Sequence, residues 1–275
     1  TTQSKTHSNV FPIMKNQFFM KVYCHDGYTA MSQCVFMDSK TLAVNKHSIP
    51  ALDKLRMLCI YPDDPDVTNT CVTLTSESFG VDNPDDDRDI LFLMLKREIF
   101  GGIRSIWKLV PPRAHYENIK GMASRYFQEN KGNKTVVGAH GPYNVAAATN
   151  SRPKFVLRDE TGTVRFASTF SMFYTAFNGQ SKAGDCGDPW IGESTMQFPF
   201  LGIHSALYGV DALITPIFQE DQRQKEVSLQ AFTSLPPGAE QLIDPFTPIE
   251  RVPGAKPLGA WKGKKVASPS STKFS

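Results

Sequence analysis

Ala183-Gly184-Asp185-Cys186-Gly187-Asp188-Pro189-Trp190 is the stretch from which the rest of the chain is best read. A Gly-x-Cys-Gly turn sets a thiol on a bend, and its glycines free the flanking backbone N–H groups to face one side. Attack on a carbonyl needs both features: a nucleophile, and donors aimed at the oxyanion it creates. Alone the motif is weak, because Gly and Cys meet in many turns. Its company strengthens it. Gly202-Ile203-His204 follows eighteen residues after the cysteine, inside an apolar run. Far upstream, Asn45-Lys46-His47-Ser48 follows the strand-like Leu42-Ala43-Val44, and Arg88-Asp89-Ile90-Leu91 opens another strand-like run.

Each of these residue types suits one task. Cys186 is the candidate nucleophile, and a thiol at its ordinary pKa needs a base or a pKa-lowering neighbour. His47, at a strand end, is the candidate base. Asp89 is the candidate acid that would orient it by accepting from the far ring nitrogen. Asp87 and Glu77 stay open as alternatives, since 85–89 also reads as a solvated acidic loop. The oxyanion donors would be the N–H groups of Gly184 and Cys186, with Asp185 between them. His204 lies in a segment too apolar for a free surface histidine. It reads either as a satisfied core residue or as a neutral imidazole at the base of a pocket, donating to a substrate side-chain amide. The second reading predicts Gln, less often Glu, before the scissile bond. Ser181 is a candidate second donor there.

Composition sets the frame. The 275 residues are 40% hydrophobic and 21% charged, with a net charge of +3, so bulk charge predicts neither nucleic-acid nor membrane binding. No apolar run approaches the roughly 20 residues that span a bilayer, and no cofactor or metal is expected. The start, residues 1–9, lacks the apolar core of a signal peptide. The five cysteines are an odd number without a CxxC pair, which argues against a disulfide framework or a zinc site and for a reducing compartment. Cys24, Cys34, Cys59 and Cys71 lie in strand-like segments and read as buried. Cys186, in a turn, reads as presented.

Short β-branched and aromatic runs dominate, separated by Gly, Pro, Asn and Asp. They fall at 18–24, 30–37, 41–44, 55–61, 71–75 and 90–95, then at 135–139, 144–148, 154–158, 164–170, 172–177, 198–204 and 211–218. Asp159-Glu160-Thr161-Gly162 marks a hairpin turn. Ile119, Met122, Ala123, Tyr126 and Phe127 fall at helical spacing and predict an amphipathic helix. Val110-Pro111-Pro112-Arg113 reads as a link. The expectation is all-β: an N-terminal β-barrel over residues 1–110, a C-terminal β-barrel over 111–225, and an extended or disordered tail over 226–275.

Taken together, the Gly-Asp-Cys-Gly-Asp-Pro turn, the Gly-Ile-His element and the upstream His47 and Asp89 resemble the 3C-type cysteine proteases of picornavirus-like RNA viruses. In detail they look most like those of iflaviruses and dicistroviruses. The resemblance covers roughly residues 15–220. It implies two tandem chymotrypsin-like β-barrels with the active site in the cleft between them, processing of a viral polyprotein, and work in the host cell cytoplasm. Such proteases also bind viral RNA on the face opposite the active site, where Arg88-Asp89-Ile90 resembles a segment they use. Lys96, Arg97 and Arg104 would add phosphate contacts. The tail around Lys264-Lys265 resembles the leading segment of the polymerase that follows such proteases, and Gln230 and Gln241 are candidate self-cleavage positions.

Overall fold

The computed structural model describes residues 10–84, 86, 88–132, 134–147, 155–158, 164–168, 174–176, 184–208, 211–222, 225 and 264–265. A short helix at 10–14 precedes β1 (Gln17–Cys24), β2 (Tyr28–Asp38), β3 (Thr41–Val44), β4 (Leu55–Tyr61), β5 (Val72–Leu74), β6 (Phe79–Asp82) and β7 (Leu91–Leu95). These form one antiparallel sheet in the order β5-β4-β1-β2-β3-β7-β6. The second half holds β8 (Lys120–Lys131), β9 (Lys134–Ala147), β10 (Phe155–Arg158), β11 (Val164–Ser168), β12 (Tyr174–Ala176), β13 (Pro189–Gly192), β14 (Phe200–Tyr208) and β15 (Asp211–Pro216). Six of them close a barrel, β12-β15-β14-β13-β8-β9, while β10 and β11 make a separate hairpin. The fold is the two-barrel all-β one.

Alternation explains the first sheet. Along β1, Phe18, Met20, Val22 and Cys24 enter one core, while Phe19 and Tyr23 join a smaller cluster on the other face with Cys59 and Tyr61. β2 is buried on both faces, and its polar Thr29, Ser32 and Gln33 are buried along with its apolar residues. Its Phe36 and Cys34 point into the first core. Its Val35 and Met37 join Ala43, Phe92, Ile191, Phe200, Ile203 and Ile217 in a cluster that spans both halves. That shared cluster presses the two halves together where the candidate residues meet.

Two features differ from the sequence expectation. The segment with helical spacing is strand: a tight turn at Arg113–Asn118 leads into β8, which pairs with β9 and β13. Tyr126 lies opposite Ala139 and Trp190 opposite Arg125, so sheet pairing on two edges overrides local spacing. The runs at 135–139 and 144–148 merge into β9, Lys134–Ala147. Of the tail, Lys264–Lys265 are described, and they pair with Tyr28 and Thr29 at the start of β2. The rest of 226–275 lies outside the described residues.

Candidate active site

Register brings His47 and Asp89 together. β3 and β7 pair antiparallel, with Val44 opposite Leu91. His47 lies three residues beyond that pair, in the tight turn Lys46–Ser48, and Asp89 two residues before it. Both side chains are fully buried. His47 Nδ1 and Asp89 Oδ2 are 2.6 Å apart, and the His47 backbone N–H donates to Asp89 Oδ1 at 2.9 Å. Asn45 Nδ2 donates to the same Oδ2 at 3.0 Å, and also faces the His204 carbonyl and the Ser205 hydroxyl, each at 3.1 Å. Of the open acids, Glu77 is exposed and Asp87 lies outside the described residues.

The cysteine turn is fastened to both halves. Its Cys186 carbonyl accepts from the Gln33 N–H at 2.8 Å and from Ser32 Oγ at 2.9 Å, both on β2. Gly187 N–H donates to the His204 carbonyl at 2.9 Å, and His204 N–H to the Asp188 carbonyl at 2.8 Å. Gly187 has φ 90, and a Cβ there would lie 2.0 Å from the Gln33 carbonyl oxygen, so the close approach of turn and β2 admits glycine alone. Gly184 has φ 95, again in the region that favours glycine.

Cys186 is buried, which corrects the expectation of a presented thiol. Packing against β2 and β14 covers the turn. The thiol donates to the Ser205 carbonyl at 3.5 Å. Burial pushes its pKa well up, and Asp89, Asp185 and Asp188 push the same way against a smaller opposing effect from Arg125. The resting sulfur is therefore a neutral thiol.

His204 is fully buried beside Trp190, whose indole N–H donates to Nδ1 at 3.2 Å. Burial drives the His204 pKa well down, with Arg125 and His47 adding to it. Because indole is a donor only, Nδ1 carries no proton, and the neutral ring holds its hydrogen on Nε2. That Nε2 is buried and has no protein partner among the described residues. Arg125, opposite Trp190, reaches under the cysteine turn, with Nη1 donating to Asp188 Oδ2 at 2.6 Å and Nη2 lying 3.4 Å from Asp185 Oδ2.

The structure thus gathers His47, Asp89, Gly184, Asp185, Cys186 and His204 at the junction of the halves, while Ser181 lies outside the described residues. Asn45, Trp190 and Arg125 were not singled out from sequence. Asn45 stood inside the quoted Asn-Lys-His stretch, and Trp190 closed the quoted turn, so proximity in sequence was the available signal. Arg125 had none. Arg88, expected to face RNA, is 1% exposed and holds Asp221 through two bonds of 2.6 and 2.9 Å, so its guanidinium is not offered to phosphate. Lys96, Arg97 and Arg104 are exposed.

Among solved structures, the fold is similar to that of the catalytically inactive tobacco etch virus protease complexed with substrate, at 14% identity and a TM-score of 0.53, over 78% of this chain and 85% of that one. A second structure of the tobacco etch virus protease, a mutant form, matches at 13% identity and a TM-score of 0.53, over 78% of this chain and 81% of that one. No family model matches the chain, and no curated protein does. The likeness identifies the fold as chymotrypsin-like.

Proposed function

We propose that the chain is a cysteine endopeptidase of the 3C kind that processes a viral polyprotein, cleaving after Gln and less often after Glu. The observation that carries this reading is the dry His47–Asp89 pair beside the Cys186 turn, on a chymotrypsin-like fold. A buried acid on one ring nitrogen fixes the orientation of the imidazole, leaving the other nitrogen for proton transfer. The neutral thiol makes His47 a general base that removes the Cys186 proton as sulfur attacks the substrate carbonyl. The N–H groups around Gly184 to Cys186 receive the oxyanion. His47 then protonates the leaving amine, and a water deprotonated by the same ring hydrolyses the thioester. His204 donates from Nε2 to the carboxamide oxygen of Gln.

The test is a peptide library read by mass spectrometry, with parent and variants. The parent is expected to cleave after Gln, and Cys186→Ala to lose activity by on the order of 10⁶-fold. Undiminished cleavage by Cys186→Ala overturns the reading. His204→Ala is expected to erase the Gln preference, and an unchanged cleavage profile removes His204 from the pocket.

A further inference from the structure

Asn45 is a fully buried amide set where the two halves meet. Its Nδ2 faces three oxygens from three places: Asp89 Oδ2 at 3.0 Å, the His204 carbonyl at 3.1 Å and the Ser205 hydroxyl at 3.1 Å. A carboxylate and a backbone carbonyl only accept, so the nitrogen, not the oxygen, of this side chain must face them. Two hydrogens serve three acceptors, so one is shared.

What these acceptors touch gives the arrangement its meaning. Asp89 Oδ2 also meets His47 Nδ1. The His204 carbonyl also accepts from Gly187 N–H at 2.9 Å, and Gly187 directly follows the nucleophile. Ser205 supplies the carbonyl that faces the Cys186 thiol, and its hydroxyl lies against Thr215 Oγ1. An unbroken line of hydrogen bonds therefore runs from the acid, through Asn45 and the His204 carbonyl, to the cysteine turn. Along it a neutral side chain of the first half, Asn45, holds a carbonyl of the second.

We infer that Asn45 is a positioning residue that locks the His47–Asp89 pair to the Cys186 turn, fixing the separation of base and nucleophile across the junction. This rests on the peptidase reading. The Asn45 amide bonds to the acid, a backbone carbonyl and a hydroxyl, so its removal is expected to act on kcat more than on KM. The charged and titratable groups around the line are Asp89, His47, His204, Cys186, Asp185, Asp188 and Arg125.

Asn45→Ala removes the donors, and Asn45→Asp keeps the shape while turning a carboxylate toward three acceptors. On a Gln peptide chosen from the library, kcat per alkylatable Cys186 is expected to fall about 10- to 100-fold in Asn45→Ala and further in Asn45→Asp, with KM within about threefold. Iodoacetamide alkylation of Cys186 is read against pH in the same proteins, and Asn45→Asp is expected to move its midpoint upward. Unchanged kcat and an unchanged alkylation profile overturn the inference. In the parent, the two Asn45 side-chain amide protons are expected to exchange slowly with deuterium. Exchange as fast as at an exposed amide also overturns it, whether or not the variants fold. If the parent cleaves no peptide, the peptidase reading fails, and the alkylation and exchange results still decide the role of Asn45.

Discussion

Arg88 and Arg125 are both buried, each faces two aspartates, and they are put to different use. Arg88 sits behind the junction. It holds Asp86 at 2.8 Å, the Pro216 carbonyl at 2.9 Å and Asp221 twice, while Asp221 also accepts from the Phe218 N–H. Arg113 adds a second cation to Asp86 at 2.6 Å. Burial works to raise the Asp86 pKa, but Arg88 and Arg113 outweigh it and hold the carboxyl below its usual range. Arg125 sits under the cysteine turn with Asp185 and Asp188, and there burial wins. The Asp188 carboxyl is pushed up to about 7, with Asp185 adding to the rise and Arg125 and Gln17 opposing it. One cluster balances its charges and clasps the halves. The other is short of positive charge beside Cys186. The lesson is that a buried ion pair is read from its neighbours, since the same residue types stabilise a junction in one place and leave a carboxyl poised to titrate in another.

The sharpest way to break this comparison is to remove each arginine. Arg125→Met frees Asp185 and Asp188 next to Cys186, and cleavage is expected to fall about 100-fold, since small displacements of a reacting group cost that much. Steady-state rates normalised to reactive thiol check it. Arg88→Met leaves Asp221 buried without its cation and is expected to lower stability by about 3–5 kcal/mol, measured by urea unfolding, with a smaller effect on the normalised rate. If the two variants exchange these phenotypes, the division of roles is wrong.

A smaller effect distinguishes the clusters by sign. Asp86 has a folded pKa below its ordinary 3.8, so its contribution is present above that value and lost as pH falls through the folded pKa. Asp188 has a folded value of about 7, so between about pH 4 and 7 the folded state keeps a proton that the unfolded chain has lost. Stability therefore falls with rising pH across that window. His204 acts oppositely, because its depressed pKa costs stability as pH drops below the ordinary 6.5. Subtracting the urea-unfolding profile of Asp188→Asn from that of the parent isolates the Asp188 slope. A difference profile that rises from pH 4 to 7 contradicts its sign.

Much of the fold was legible because β-strands announce themselves in alternation. The apolar runs ending at Val44 and beginning at Ile90 were visible, and so were the glycines of the cysteine turn. Ile119 to Phe127 misled because strand and helix periodicities overlap in a short segment with few β-branched residues, and pairing on two edges decided it. The burial of Cys186 was not readable, since a turn in sequence does not reveal what packs over it. Arg125 was illegible for a related reason: a lone arginine in a strand looks solvated until the fold sets two acids from sixty residues away against it.

Residue order by itself determined which groups are available: a thiol between glycines, an imidazole after one strand, a carboxylate before another, and strands enough for two halves. Tertiary structure decided which of them meet and in what protonation state. Hydrogen bonds across the junction and removal from water are properties of packed neighbours, and those neighbours lie far apart along the chain.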